Sequence, residues 1–120
     1  MEISGQAVLL RIFIGESDKL GHVPLFEAIV KQARDAGLAG ATVLKGVLGF
    51  GATARIRTTK ILDLSADLSM VVEIVDEESK IEAFQHQLAG LFDRANCGGL
   101  VTLEKVRVVH YVPGNVASSA

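Results

Sequence analysis

A short apolar run that leads through an acidic turn into a helical segment occurs twice in this chain. The first copy contains RIFIGESDK (11–19) and the second contains VEIVDEESK (72–80). The first run, AVLLRIFI (7–14), is rich in Leu and Ile and ends at Gly15. Because it is too short for a typical helix, its composition favours a β-strand. The repetition therefore predicts two similar strand–turn–helix units.

Two further strand patterns complete the predicted order of elements. Apolar residues recur at helical spacing from Pro24 to a cap at Gly37, and a second helix starts at the carboxylates 76–78 and ends at 96–99. Strands are predicted at 7–14, 41–50, 69–75 and 101–111. The order β-α-β-β-α-β is that of an α+β, ferredoxin-like sandwich, an antiparallel sheet with two helices on one face.

The length of the chain sets the expected domain organisation. Its 120 residues predict one domain, 1–120, with a core over 7–111 and a flexible tail over 112–120. A second hydrophobic core would need roughly 100 further residues.

The predicted sheet carries apolar residues on both of its faces. Alternation along the first strand places Val8, Leu10, Ile12 and Ile14 on one side, with Leu9 and Phe13 on the other. The third strand likewise sets Val71 and Val75 opposite Met70, Val72 and Ile74. Two helices cannot cover both faces, and a second apolar face is typical of an interface. We therefore expect an oligomer that packs sheet against sheet.

Charge and cysteine content narrow the function classes. Twelve Lys and Arg residues against 14 Asp and Glu residues give a net charge of −2. No overall positive field is available to hold a nucleic acid.

Cys97 is the only cysteine, so no disulfide can form within the chain. No apolar stretch approaches the roughly 18 residues of a membrane span. We therefore expect a protein of the cytoplasm.

Two glycine clusters are candidate ligand-binding elements. The first contains Gly49, Phe50 and Gly51, and the second contains Gly98 and Gly99. Backbone N–H groups beside glycines can approach a phosphate because no Cβ blocks the way. The structural alternative is that the first cluster forms a bulge or turn and that the second caps a helix. Neither cluster has the spacing of a dinucleotide-binding or P-loop motif.

A basic segment follows the first glycine cluster within ten residues. Arg55 and Arg57 alternate so as to share one face of a strand, and Lys60 comes shortly afterwards. Guanidinium groups in this arrangement are suited to binding an anion with two hydrogen bonds. The alternative is the solvated edge of a loop. The nearness of the glycines favours an anion site.

No residue pattern predicts catalysis or a metal centre. The acidic loop 16–18 is explained by turn formation. His22, His86 and His110 are scattered, without the spacing of a metal motif. No side chain pairs convincingly as a nucleophile with a base. We therefore predict that the protein is not an enzyme and has no metal site.

Four segments carry a resemblance to a known family. They are GESDK (15–19), PLFEAIV (24–30), AGLAGATVLKGVLGFG (36–51) and VVEIVDEESKIEAF (71–84). Together they resemble the bacterial PII-like proteins of uncharacterised family 190 in the domain-of-unknown-function series. A more distant similarity, through the triplet 49–51 and the topology, connects the chain to the PII nitrogen-signalling proteins.

The PII resemblance implies a cytoplasmic homotrimer whose three sheets face inward. It implies an adenine nucleotide (ATP, ADP or AMP) bound in clefts between subunits, at positions that match 49–51 and 98–99. It also implies that the loop 51–68 changes on ligand binding and regulates a protein partner such as a membrane transporter, so that the protein acts in signal transduction. The net charge of −2 predicts no nucleic-acid partner.

The chain departs from the PII pattern at charged positions. Leu100 and Val101 follow the second glycine loop where PII carries a lysine, and Val108 and His110 stand where PII has two arginines. Arg55, Arg57 and Lys60 are the candidates to replace that charge. The alternatives are a metal-associated protein similar to the CutA group and a structural interaction module that binds no nucleotide.

Overall fold

The central strand of the sheet is the first apolar run of the sequence. The computed structural model describes residues 5–51, 56–58 and 67–114. Along the chain its elements are β1 (Gln6–Gly15), β2 (Lys19–Leu20), β3 (Val23–Pro24), α1 (Leu25–Asp35), β4 (Thr42–Lys45), β5 (Leu48–Gly49), β6 (Arg57–Thr58), β7 (Ser69–Asp76), α2 (Glu78–Ala95) and β8 (Leu100–Arg107). Strand β1 pairs antiparallel with β7 and β8, and β4 pairs antiparallel with β7. The strand order β4-β7-β1-β8 confirms the predicted ferredoxin-like α+β fold.

Both helices bury one apolar stripe against the same face of the sheet, here called the inner face. The buried residues of α1 are Leu25, Ile29 and Ala33, and those of α2 are Ile81, Phe84, Leu88 and Leu91. They form one core with the alternate residues Val8, Leu10, Ile12 and Ile14 of β1 and Met70, Val72 and Ile74 of β7. The periodicity of the sequence predicted this core because one-sided burial imposes both repeats.

The helix ends follow from residues that tolerate a left-handed backbone. Gly37 has a φ of +78°, and the N–H of Leu38 donates to the Ala33 carbonyl at 3.2 Å. Asn96 ends α2 with a φ of 53°, and Asn is one of the side chains that enters this region most readily. Both helices therefore end where the sequence predicts.

Three predicted boundaries were wrong. The predicted strand 41–50 is broken after Lys45, where Gly46 donates its N–H to the Ser69 carbonyl at 2.8 Å, and the chain resumes as the β5–β6 hairpin. The last strand ends at Arg107 and not at residue 111. The acidic loop after β1 also leads into the short β2–β3 hairpin, which the sequence pattern did not indicate.

Asp76 belongs to the end of β7 and not to the start of the helix. Its side chain is fully buried. Its Oδ2 accepts the N–H of Ala39 at 2.8 Å, and its Oδ1 accepts the N–H of Glu77 at 2.7 Å. The carboxylate therefore ties the segment between α1 and β4 to the start of α2.

Neither α1 nor α2, the two helices of the described residues, has the length and apolar character of a membrane span.

We expect Asp76→Ala to lower the free energy of unfolding by about 1–3 kcal/mol, because it leaves the part-buried N–H groups of Ala39 and Glu77 without an acceptor. Asp76→Asn should lose less, since the amide oxygen still accepts one bond. Urea unfolding measures both. The exposed Glu82→Ala in α2 is the control, and equal stabilities of the Asp76→Ala and Glu82→Ala variants would contradict this role.

Candidate functional site

Both predicted glycine clusters adjoin the same end of the sheet. Strand β1 ends at Gly15 opposite Ser69, and Phe13 lies opposite Leu100. Lys45, the last residue of β4, pairs with Met70. The antiparallel register therefore places segments 15–18, 45–51, 67–69 and 96–100 together. We call this region the loop end of the sheet.

The first cluster lies at the base of a hairpin. Gly49 in β5 pairs with Arg57 in β6. A Cβ on Gly49, on Gly51 or on Gly98 would meet no atom of the described residues within 4 Å. The Phe50 side chain between the first two is 68% exposed. At these three glycines the backbone is therefore open to a ligand.

Gly99 has a packing reason to be glycine. A Cβ at this position would lie 2.9 Å from the carbonyl oxygen of Phe13 and 2.9 Å from Cε1 of Phe92. The close approach of β8 to β1 at this point leaves no room for a side chain. Gly99 thus shapes the turn that presents Gly98.

The basic segment is described only in part. Arg57 lies in β6, directly across from Gly49, so its backbone belongs to the loop end. The predictions for Arg55 and Lys60 lie outside the described residues. The ammonium group described at this end belongs to Lys45, whose Nζ lies 2.9 Å from Oε2 of Glu16.

The acidic loop after β1 forms the turn that its composition predicts. Oδ2 of Asp18 accepts the N–H of Gly15 at 2.8 Å, and Oδ1 of Asp67 accepts the N–H of Ser17 at 2.8 Å. The N–H of Glu16 donates to the Leu68 carbonyl, also at 2.8 Å. These bonds confirm the turn-forming interpretation and fix residues 67–68 against the end of β1.

Cys97 lies beside the acidic turn. Burial is the larger cause that raises the pKa of its thiol, and the negative charge of Asp18 raises it further. A raised pKa leaves less thiolate at neutral pH, which is the opposite of what a reactive cysteine needs. Cys97 is also partly buried against the hydrophobic core, and both observations favour a packing role at the end of α2.

A cleft lies at the opposite end of the sheet from the glycine loops, which we call the tail end. Its volume is about 710 Å³. It is lined by Leu9, Glu73 and Val75 of the sheet, the segment 39–42 and the segment 108–111. The N–H of Val108 donates to the Gly5 carbonyl at 2.7 Å, which holds the chain against the sheet as it leaves β8.

The tail-end cleft was not predicted from the sequence. Its walls come from four separate segments that only the sheet register brings together. Val108 and His110, which stand in place of two PII arginines, both line it. The alternation of Val108 and His110, followed by Tyr111, was the sequence pattern from which this cleft could have been predicted.

Across residues 5–51, 56–58 and 67–114, no group of three or more His, Cys, Asp or Glu side chains is placed to hold a metal ion.

Comparison with known proteins places the sequence in a family. Residues 7–108 match the family DUF190, described as Uncharacterized ACR. The chain belongs to this family. A UPF0166 protein of Aquifex aeolicus is 39% identical over 102 residues, which cover 85% of this chain and 92% of that protein. A UPF0166 protein of Methanocaldococcus jannaschii is 30% identical over 103 residues, covering 86% and 92%.

Solved structures of PII-like proteins have the same fold as this DUF190 chain. One of them is CPII of Thiomonas intermedia K12, a nitrogen regulatory PII-like protein solved with ADP, AMP and bicarbonate. It matches this chain with a TM-score of 0.64 and 15% identity, over 88% of this chain and 90% of CPII. A PII-like signaling protein of Thermus thermophilus matches with a TM-score of 0.63 and 19% identity, over 91% and 94%. These matches confirm the PII-like fold that the sequence segments indicated.

We expect two neighbouring glycines to respond differently to substitution. Gly99→Ala should lower the free energy of unfolding by about 1–3 kcal/mol, because the added Cβ collides with backbone and a ring. Gly98→Ala should change it by less than about 0.5 kcal/mol, since the space is open. Thermal unfolding compares the two variants, and an equal effect would contradict the packing described.

The Cys97 thiol should react more slowly with iodoacetamide at pH 7.5 than a free cysteine derivative, since its raised pKa reduces the thiolate fraction. Asp18→Asn should lower the pKa and increase the rate, because it removes the nearby negative charge. The pH dependence of alkylation measures both. A Cys97 pKa below that of the free thiol would overturn the assignment.

Proposed function

We propose that this DUF190 protein is a PII-like signalling protein that binds a small anionic ligand, an adenine nucleotide, between the subunits of a homotrimer. The observation that carries the proposal is the open backbone of two glycine loops at one end of a PII-like sheet. Gly49 and Gly51 lie on one side of that end, and Gly98 lies on the other. Phosphate groups bind well to such exposed N–H groups.

The separation of the glycine loops from the tail-end cleft favours a site shared between subunits. The loop end and the tail end lie at opposite ends of β1, which has 10 residues. At roughly 3.3 Å per residue, such a strand is about 30 Å long. One nucleotide cannot span that length within a chain. If two copies pack side by side, the glycine loops of one can face the tail-end cleft of the next.

The chemistry of the two ends is complementary for a nucleotide. For the phosphates, the loop end offers backbone N–H groups, and we propose that Arg55, Arg57 and Lys60 supply the positive charge there. The tail end offers apolar walls from Leu9 and Val75, suited to the flat face of a base. That CPII is solved with ADP and AMP supports an adenine nucleotide.

Regulation would pass through the loop 51–68. Both of its ends are fixed by the described contacts, Gly46 to Ser69 and Ser17 to Asp67. A ligand at Gly49–Gly51 would therefore act on the loop at its base. We propose that the liganded loop binds a regulated protein such as a membrane transporter.

The test is thermal stability against ATP, ADP, AMP and simple anions. A ligand at 100 times its Kd adds about 2.7 kcal/mol, which for a domain of this size raises Tm by about 10 °C. We expect this rise with one adenine nucleotide. Arg55→Ala with Arg57→Ala should abolish it, and Gly98→Ala should reduce it because the new Cβ occupies the cradle.

Two variants serve as controls. Lys31→Ala with Arg34→Ala removes the same charge from exposed positions on α1, and Gly90→Ala adds the same methyl group in open space on α2. Both should retain the ligand-induced rise in Tm. A flat response of the unaltered protein to every nucleotide, or equal losses in the test and control variants, would contradict the proposal.

A further inference from the structure

A row of polar side chains crosses the outer face, the face of the sheet opposite the helices. The strand register places Thr42, Glu73, Arg11 and Thr102 side by side on β4, β7, β1 and β8. Nε of Arg11 lies 2.8 Å from Oε2 of Glu73. Its Nη1 lies 3.7 Å from Oε1 of Glu104, a diagonal neighbour on β8. We call these five residues the polar row.

Apolar residues lie on both sides of the polar row. Towards the loop end, the register aligns Leu44, Val71, Phe13 and Leu100 across the four strands. Leu44 is 49% exposed and Leu100 is 58% exposed. Towards the tail end, Leu9 pairs with Val75 on β7 and with Glu104 of the polar row on β8. The outer face is thus an apolar surface with one charged band across its middle.

Within the chain, the charges of the polar row are only partly matched. The Arg11 side chain is 38% exposed and that of Glu73 is 29% exposed, and their contact is short. Glu104 is 57% exposed and its contact is long. A guanidinium group has five N–H donors, so Arg11 keeps donors for a further carboxylate. A second copy of this chain offers the complementary groups, since its Glu104 can approach the Arg11 of its neighbour.

A charged band on a covered apolar face restricts how copies can pack. Sliding one sheet by two residues preserves its alternation of faces. Without the polar row, such shifted packings would bury similar apolar area. When the polar row is present, the same shift places the Arg11–Glu73 pair of one copy against an apolar row of the other copy. The charged groups then lose bound water without gaining a partner. Single polar residues fix register and copy number in this way in coiled coils.

We propose that the polar row, through Arg11, sets the register and number of copies that assemble on the outer face. The partner is a second copy of this chain. The inference rests on the assembly in the proposed function and adds the residues that determine its specificity. Arg11 acts as a positioning residue, and the apolar row Leu44, Val71, Phe13 and Leu100 supplies the buried area.

The test compares the masses of three variants by light scattering and native mass spectrometry over a dilution series. Arg11→Met leaves Glu73 unpaired on a covered face. We expect the protein concentration of half-dissociation to rise about a hundredfold or more. Arg11→Met with Glu73→Leu and Glu104→Leu removes all three charges of the polar row. It should still associate, but as more than one mass. The unaltered protein should give a single trimeric mass.

Arg34→Met is the matched control. Arg34 makes a surface contact with Asp35 on α1, on the other layer of the molecule, and its side chain is 76% exposed. It should leave mass and dissociation unchanged. If all variants match the unaltered trimer, the role of the polar row is wrong while the assembly stands. If the unaltered protein is a monomer throughout, the assembly itself is wrong and this inference fails with it.

Discussion

Two helices can cover only one face of a four-stranded sheet, and the rest of the molecule follows from that constraint. On the inner face, α1 and α2 bury alternate residues of β1 and β7, while Val101 and Leu103 of β8 stay 36% and 50% exposed. The outer face has no element of the described chain to cover it, yet it bears Phe13 and Val71 beside the exposed Leu44 and Leu100. Water-exposed apolar area of this kind is stabilised by association. The charged band through Arg11 then gives that association a defined geometry.

The antiparallel sheet also decides where a ligand can bind. Successive strands reverse direction, so the glycine loops gather at one end and the segment after β8 lies at the other. Among the described residues, the open glycine backbone lies at the loop end and the described apolar cleft lies at the tail end. Assembly is therefore coupled to binding in our proposal, because a complete site needs parts from two copies. A ligand held between copies would stabilise the trimer by mass action as well as the fold.

The sequence predicted those features that depend on periodic burial. The strand β1, both helices, the second apolar face and the helix end at Asn96 follow from alternation, helical spacing and capping. The break at Gly46, the end of β8 at Arg107 and the burial of Asp76 do not, since each depends on hydrogen bonds between distant segments, such as Asp76 with Ala39. The same reason explains the candidate site. Its glycine loops were recognisable locally, whereas the tail-end cleft exists only after folding.

The most direct test of the account is native mass spectrometry of the protein with and without ADP. We predict a complex of about three times 12.7 kDa that takes up as many as three ADP molecules, with no ADP retained on dissociated single chains. The shared site requires this link between assembly and binding. A single chain that binds ADP as tightly as the trimer, or a trimer that takes up no ADP at any concentration, would contradict the account.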